Sequence, residues 1–241
     1  MKPSAILMGA AISAAAAAAL AQERPDSWLT ERAHQDRDIV YFLQQPDTHS
    51  FDLYHDYTES RPGVDKYVNV VRKGSRASKP SARILDTGEK LSVETLRGAE
   101  ISRAAVDIGE PVQPDSEAVV IRFPAVEKGH SVRLRISETY TDEKSYRLDG
   151  DELVFDRSFG RPRNAVVLPA GWYLTASAIP AAVSRMPDGR IRLDFVNPRP
   201  DEIAVLIKAK RKRSSQSSVL SPQFSIQGLD RTAVPQLKTD N

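Results

Sequence analysis

Apolar residues recur at every second position along much of this chain, and no other local spacing is repeated as often. A helix needs apolar residues three and four apart, whereas a strand covered on one face needs alternation, so the spacing selects β structure. In Val132-Arg133-Leu134-Arg135-Ile136 the apolar side chains share one face and both arginines the other. Ile191-Arg192-Leu193-Asp194-Phe195 repeats the scheme. Residues 203–207 and 118–123 are more continuously apolar, the pattern of strands covered on both sides.

Turn formers fall between these runs where antiparallel pairing needs them. Asp149-Gly150-Asp151 separates Tyr146-Arg147-Leu148 from Leu153-Val154-Phe155, and Asp188-Gly189 precedes the strand at Ile191. Pro169-Ala170-Gly171 divides Ala165-Val166-Val167-Leu168 from Trp172-Tyr173-Leu174. The expected fold is all-β, an antiparallel β-sandwich. Gly-Glu-Pro-Val-Gln-Pro-Asp-Ser at 109–116 would interrupt any central strand, because proline cannot donate to the ladder. Two consecutive sandwich-like units are therefore expected, over 38–110 and 117–211, the alternative being one sandwich with this segment as a crossover. Strands in the first are expected near 39–43, 50–57, 66–72 and 90–96. Residues 22–37 form a linker or a short helix near 26–38, and the Ser-, Gln- and Pro-rich residues 212–241 a disordered tail.

Residues 1–21 read as a cleavable secretory signal. Lys2 provides the positive start, residues 5–20 carry no charge, and Ala19-Leu20-Ala21 before Gln22 fits a signal-peptidase site. The Ala-rich stretch is too weakly apolar for a retained membrane span, and a lipid anchor would need a cysteine, of which the chain has none. The expected location is the bacterial periplasm or cell exterior, with no transmembrane segment after cleavage. Without disulfides, stability has to come from buried apolar area. The formal charge of +2 falls to +1 once Lys2 is removed, too balanced to steer the protein toward nucleic acid.

Four places carry candidate chemistry. Residues 49–59 hold two of the four histidines among carboxylates and tyrosines. On one strand His49 and His55 lie six residues apart, about 20 Å at ~3.3 Å per residue, so they cannot share an ion. His55 and Asp56 point to opposite faces, so adjacency makes no acid–base pair. Packing alone would turn Phe51 and Leu53 inward and leave Asp52, Tyr54 and Asp56 on a solvated or partner-facing surface. Residues 157–164 read as a guanidinium-rich loop whose arginines suit carboxylates or phosphates, or simply pair with nearby acids. The basic run 208–213 could meet phosphates or merely guard a strand edge, and the acidic turn 149–152 lacks the spacing of a calcium loop.

Catalytic signatures are missing: there is no Gly-x-Ser-x-Gly, Ser-x-x-Lys, His-Glu-x-x-His, Walker or dinucleotide pattern. The expectation is an exported, non-enzymatic protein that binds another protein or an envelope polymer, without cofactor, metal or nucleic acid. Its candidate contact residues are Tyr54, His55, Asp56, Tyr57, Arg157, Arg161 and Arg163. The alternative is a secreted hydrolase, possibly metal-dependent, built around His55, Asp56 and Glu59.

Overall fold

The computed structural model describes residues 36–212, and these form three sheets, one short α-helix and a single 3-10 turn at Pro46–Thr48. The largest sheet holds seven strands in the order β12-β13-β10-β1-β2-β7-β4. Its members are β1 (Arg37–Leu43), β2 (Ser50–Glu59), β4 (Arg76–Ile84), β7 (Val132–Thr141), β10 (Arg163–Val167), β12 (Ala182–Arg185) and β13 (Ile191–Val196). A four-stranded sheet runs β11-β14-β9-β8, from β8 (Tyr146–Asp149), β9 (Glu152–Phe159), β11 (Trp172–Ser177) and β14 (Ile203–Arg211). The third runs β3-β6-β5, from β3 (Lys66–Val70), β5 (Ser92–Arg97) and β6 (Glu117–Arg122). Pairing is antiparallel except between β1 and β10, which run parallel. The all-β expectation holds.

All three sheets contribute to one apolar core. Alternation brings Tyr41, Phe51 and Phe195 from the large sheet against Phe155 and Phe159 from β9. Tyr41 stacks on Phe159 with ring centres 5.1 Å apart, and Phe51 meets Phe155 edge-on at 5.8 Å. Each such ring stabilises the fold by roughly 1.5–3 kcal/mol through burial, and truncating Phe155 to alanine would cost about 3–5 kcal/mol.

The two runs expected to be covered on both sides behave differently. β6 is: Val119 and Ile121 join the main core, while Ala118 and Val120 pack with Leu96, Ile101 and Val106 in a second cluster beneath α1 (Ala99–Arg103). β14 is not, since Val205, Ile207 and Ala209 are buried while Ala204 is exposed and Leu206 half-buried. Its apolar outer residues reflect strand propensity more than a second core.

Strand pairing crosses the boundary expected at 109–116. Each strand before it hydrogen-bonds to one after it: β1 to β10, β2 and β4 to β7, and β3 and β5 to β6. The two expected units therefore share their sheets. The proline-bearing segment instead closes over the small sheet, where Val112 packs on the second cluster and Gly98 donates to the Ser116 carbonyl. Gly98 sits at φ 47°, and a Cβ there would fall 2.9 Å from the Pro114 carbonyl oxygen.

Three elements escape the pattern. β4 carries Pro80 and a bulge between Ser78 and Ser81, β12 is exposed throughout, and α1 is a single turn. Edge strands bury too little to announce themselves by alternation. The helix expected over 26–38 lies outside the described residues except at its end, where Arg37 and Asp38 already belong to β1. The leader and the residues after 212 also lie outside them.

Candidate ligand-binding site

The pleat of β2 divides the candidate residues of that strand between two faces. His55 and Tyr57 point inward with Phe51 and are buried, whereas Tyr54 and Asp56 occupy the outer face of the large sheet. There Asp56 accepts two bonds from Arg135, both 2.7 Å, and the Arg135 guanidinium lies 4.1 Å over the Tyr54 ring. Arg163 is on that outer side too, bonded to Asp36 at 2.7 Å and to Asp38. These pairs are partly exposed, and each is worth about 0–1 kcal/mol.

Tyr57 is engaged elsewhere, donating to Glu59, which also accepts from Arg61 Nη2 at 2.6 Å and from the Arg61 backbone at 2.9 Å. Burial would raise the Glu59 carboxyl, but the Arg61 and Tyr57 bonds hold it down at about 2. Asp56 thus faces away from His55 and Glu59, so the three do not meet in one centre, while His55 and Glu59 share the inner side through Tyr57, whose ring centre lies 6.3 Å from that of His55. Among the described residues no three His, Asp or Glu side chains gather where they could hold a metal ion.

The arginine-rich stretch is a loop only over residues 160–162. β9 runs on through Phe159 because Arg157 takes the inward position after Leu153 and Phe155, and β10 begins at Arg163. Arg157 does not reach for outside anions. Its Nη1 lies 2.9 Å from Asp142 Oδ2, and its guanidinium sits 5.3 Å from the Phe51 ring centre. Asp142 is held in turn by Ser75 at 2.8 Å and Ser145 at 2.7 Å. The basic run and the acidic turn meet each other: Lys208 bonds Glu152 at 2.9 Å, Lys210 approaches Asp151 at 3.3 Å, and Arg211 stacks on Trp172.

On the inner face, His55, Arg157 and Arg161 line one pocket of about 410 Å³. Its floor is the large sheet. Register places Asn164, Ile39 and His55 in one cross-strand row over β10, β1 and β2, and Tyr41, Leu53 and Glu138 in the next over β1, β2 and β7. Arg72, Lys73, Arg161, Glu110 and Glu202 surround its opening.

Three buried polar atoms at this pocket have no hydrogen-bond partner in the protein: His55 Nε2, Glu138 Oε1 and Asn164 Oδ1. Their residues are 5%, 3% and 4% exposed, so bulk water does not compensate them. Leaving each unsatisfied costs about 1–3 kcal/mol. Burial, with the charges of Arg37 and Arg161, pushes the His55 imidazole well below its usual range and keeps it neutral. Burial, aided by Glu117, pushes the Glu138 carboxyl up to about 7 against the bond it accepts from Asn69 Nδ2 at 2.8 Å. Asn164 is oriented by its Nδ2, which donates to the Arg161 carbonyl at 2.9 Å and leaves Oδ1 as the unpaired end.

Sequence reasoning missed Glu138 and Asn164. A signal existed for the first, because continuing the inward face Leu134, Ile136 along β7 lands on Glu138 before Tyr140. A carboxylate on an apolar stripe is the kind of break that marks a site.

No family model matches the chain, and no curated protein matches its sequence. Among solved structures it is similar to an M1 zinc metallopeptidase from Deinococcus radiodurans, with 13% identity and a TM-score of 0.41, over 72% of this chain and 41% of that one. An aminopeptidase N family protein from Idiomarina loihiensis matches at 11% identity and a TM-score of 0.40, over 71% of this chain and 29% of that one. The chain spans less than half the length of either, and likeness this distant leaves function to the pocket's own chemistry.

Proposed function

We propose that this is an exported, non-enzymatic binding protein that holds part of a polar ligand, carried by another protein or an envelope polymer, in the pocket floored by His55, Glu138 and Asn164. The observation that carries the reading is the meeting of three buried, unpartnered polar atoms at one pocket. Its volume lies within the roughly 300–1,000 Å³ range of small-molecule sites. A ligand that satisfies these atoms recovers their desolvation cost, so the groups that destabilise the empty protein favour the complex. Export rests on the leader sequence.

The test is an NMR titration of the full-length protein, purified in its natural exported form, with a fractionated periplasmic extract. Shifts confined to the His55 ring and the side-chain amides of Asn69 and Asn164 are expected. Shifts only at other places, or none from any fraction, would overturn the proposal.

A further inference from the structure

The pocket's polar groups and its walls narrow the chemistry of what it takes. Tyr67 hydroxyl accepts a long bond from Arg37 and stands 3.4 Å from His55 Nδ1. With Tyr67 donating to Nδ1, the neutral imidazole carries its hydrogen on Nε2 and offers it to the pocket. Asn164 Oδ1 only accepts. Glu138 Oε1 accepts or donates according to its protonation, which changes near neutral pH. The floor therefore mixes donors and acceptors without a fixed charge.

With Arg157 paired to Asp142, the lining is close to charge balance, Arg72, Lys73 and Arg161 against Glu110 and Glu202, so it holds no net charge that would recruit an ion of either sign. A carboxylate or phosphate has no hydrogen to give Asn164 Oδ1. Of the guanidinium groups it would seek, Arg157 is already paired with Asp142, while Arg72 is bonded to the neutral carbonyl and hydroxyl of Ser158 at the rim. An apolar ligand leaves all three atoms unpaired. The hydroxyl both donates and accepts.

The apolar part of the lining comes from Ile39, Leu53 and Val70, which are partly exposed, with Tyr41, Tyr140 and Val71 buried behind them in the core. Such surfaces suit the C–H faces of a molecule whose edges carry hydroxyls. Glu138 and Asn164 stand on strands three positions apart in the sheet, about 14 Å between backbones at ~4.8 Å per step. One small polyol would not engage both ends of such a floor. On the premise that the pocket binds a ligand, we infer that it takes an uncharged oligosaccharide, with hydroxyls on Asn164, His55 and Glu138 and C–H groups against Ile39 and Leu53.

Titration calorimetry and NMR on the full-length protein would use neutral trisaccharides built from glucose, galactose, mannose and N-acetylglucosamine. Comparators are trigalacturonate, trialanine and spermidine, which carry anionic, zwitterionic and cationic charge. The expected result is saturable binding of at least one neutral trisaccharide that shifts the His55 ring and the Asn164 amide, with its monosaccharide at least tenfold weaker. Asn164→Ala should weaken that binding about tenfold or more. Because the wild-type shifts decide the matter, misfolding of the variant would not rescue the inference. Shifts at the pocket from a charged comparator or an extract fraction, with none from any neutral trisaccharide, overturn the sugar class and leave the pocket reading standing. Silence from every probe and every extract fraction overturns both.

Discussion

Arg157 Nη1 and Asp142 Oδ2 meet at 2.9 Å with side chains only 7% and 5% exposed, a closed ion pair between β9 and the turn after β7. Stacking on Phe51 and the bonds from Ser75 and Ser145 complete it, so neither charge faces the pocket unpaired. Removing one partner strands the other in the core. Arg157→Ala or Asp142→Ala should therefore lower stability by about 3–5 kcal/mol in urea unfolding. The double variant should lose clearly less than the sum, and additive losses would contradict the pairing.

Glu138 ties stability to pH. Its folded value of about 7 lies above the 4.5 of an ordinary carboxyl, so the folded protein binds more protons between those values. Stability is then highest below pH 4.5 as far as this group is concerned, and falls as pH rises through 7, by an order of 3 kcal/mol in all. Glu138→Gln should flatten that fall between pH 5 and 8 in denaturant midpoints. An unchanged slope would show that Glu138 is not the responsible group.

Glu59 works in the opposite direction. Its value of about 2 lies below the unfolded value, so its contribution is present above pH 4.5 and is lost as pH falls toward 2. Glu59→Gln should remove part of the acid-induced loss, measured by tryptophan fluorescence from pH 5 to 2, and leave the neutral-to-alkaline limb in place.

Replacing the unpartnered groups by apolar ones separates folding from binding. His55→Leu and Asn164→Leu each delete a buried atom that has no partner but also one bond, to Tyr67 and to the Arg161 carbonyl respectively, so the ligand-free protein should change stability by no more than about 1 kcal/mol. Extract- or sugar-induced shifts at the pocket should vanish in both. Asp56→Ala, one residue from His55 but on the outer face, should change stability by no more than about 1 kcal/mol and leave binding intact.

β4 tests how the large sheet ends. Lys79, at φ 51°, and Pro80 form the bulge that breaks its outer edge. A Lys79→Thr, Pro80→Val double variant would present a flatter, less charged edge. Light scattering should show concentration-dependent association in it and none in the wild type.

Alternation and turn signals made the strands legible wherever one face is buried, as in β2, β7, β9 and β13. They failed at β4 and β12, where the sheet ends and burial is thin. The partners of each strand were not legible, because period two states which residues share a face and not which strand lies alongside. That is why residues 109–116 read as a boundary although pairing passes across them. The same limit governs the pocket. The strand rule separated His55 from Asp56 correctly, but Glu138 and Asn164 reach His55 through register, which only the folded sheet contains.

The place of β1 between β2 and β10 sets an order of events for folding. Asp38 pairs with Asp56 on one side and, 125 residues further along the chain, with Arg163 on the other. A chain emerging from its amino end can close the β1–β2 hairpin early but must hold the other edge of β1 open until β10 arrives. The backbone N–H and C=O groups along that edge of β1 stay unpaired in that interval, and the row that carries Asn164 beside His55 forms only when it ends. Binding competence should thus appear late, with the slowest step of folding rather than with the first collapse.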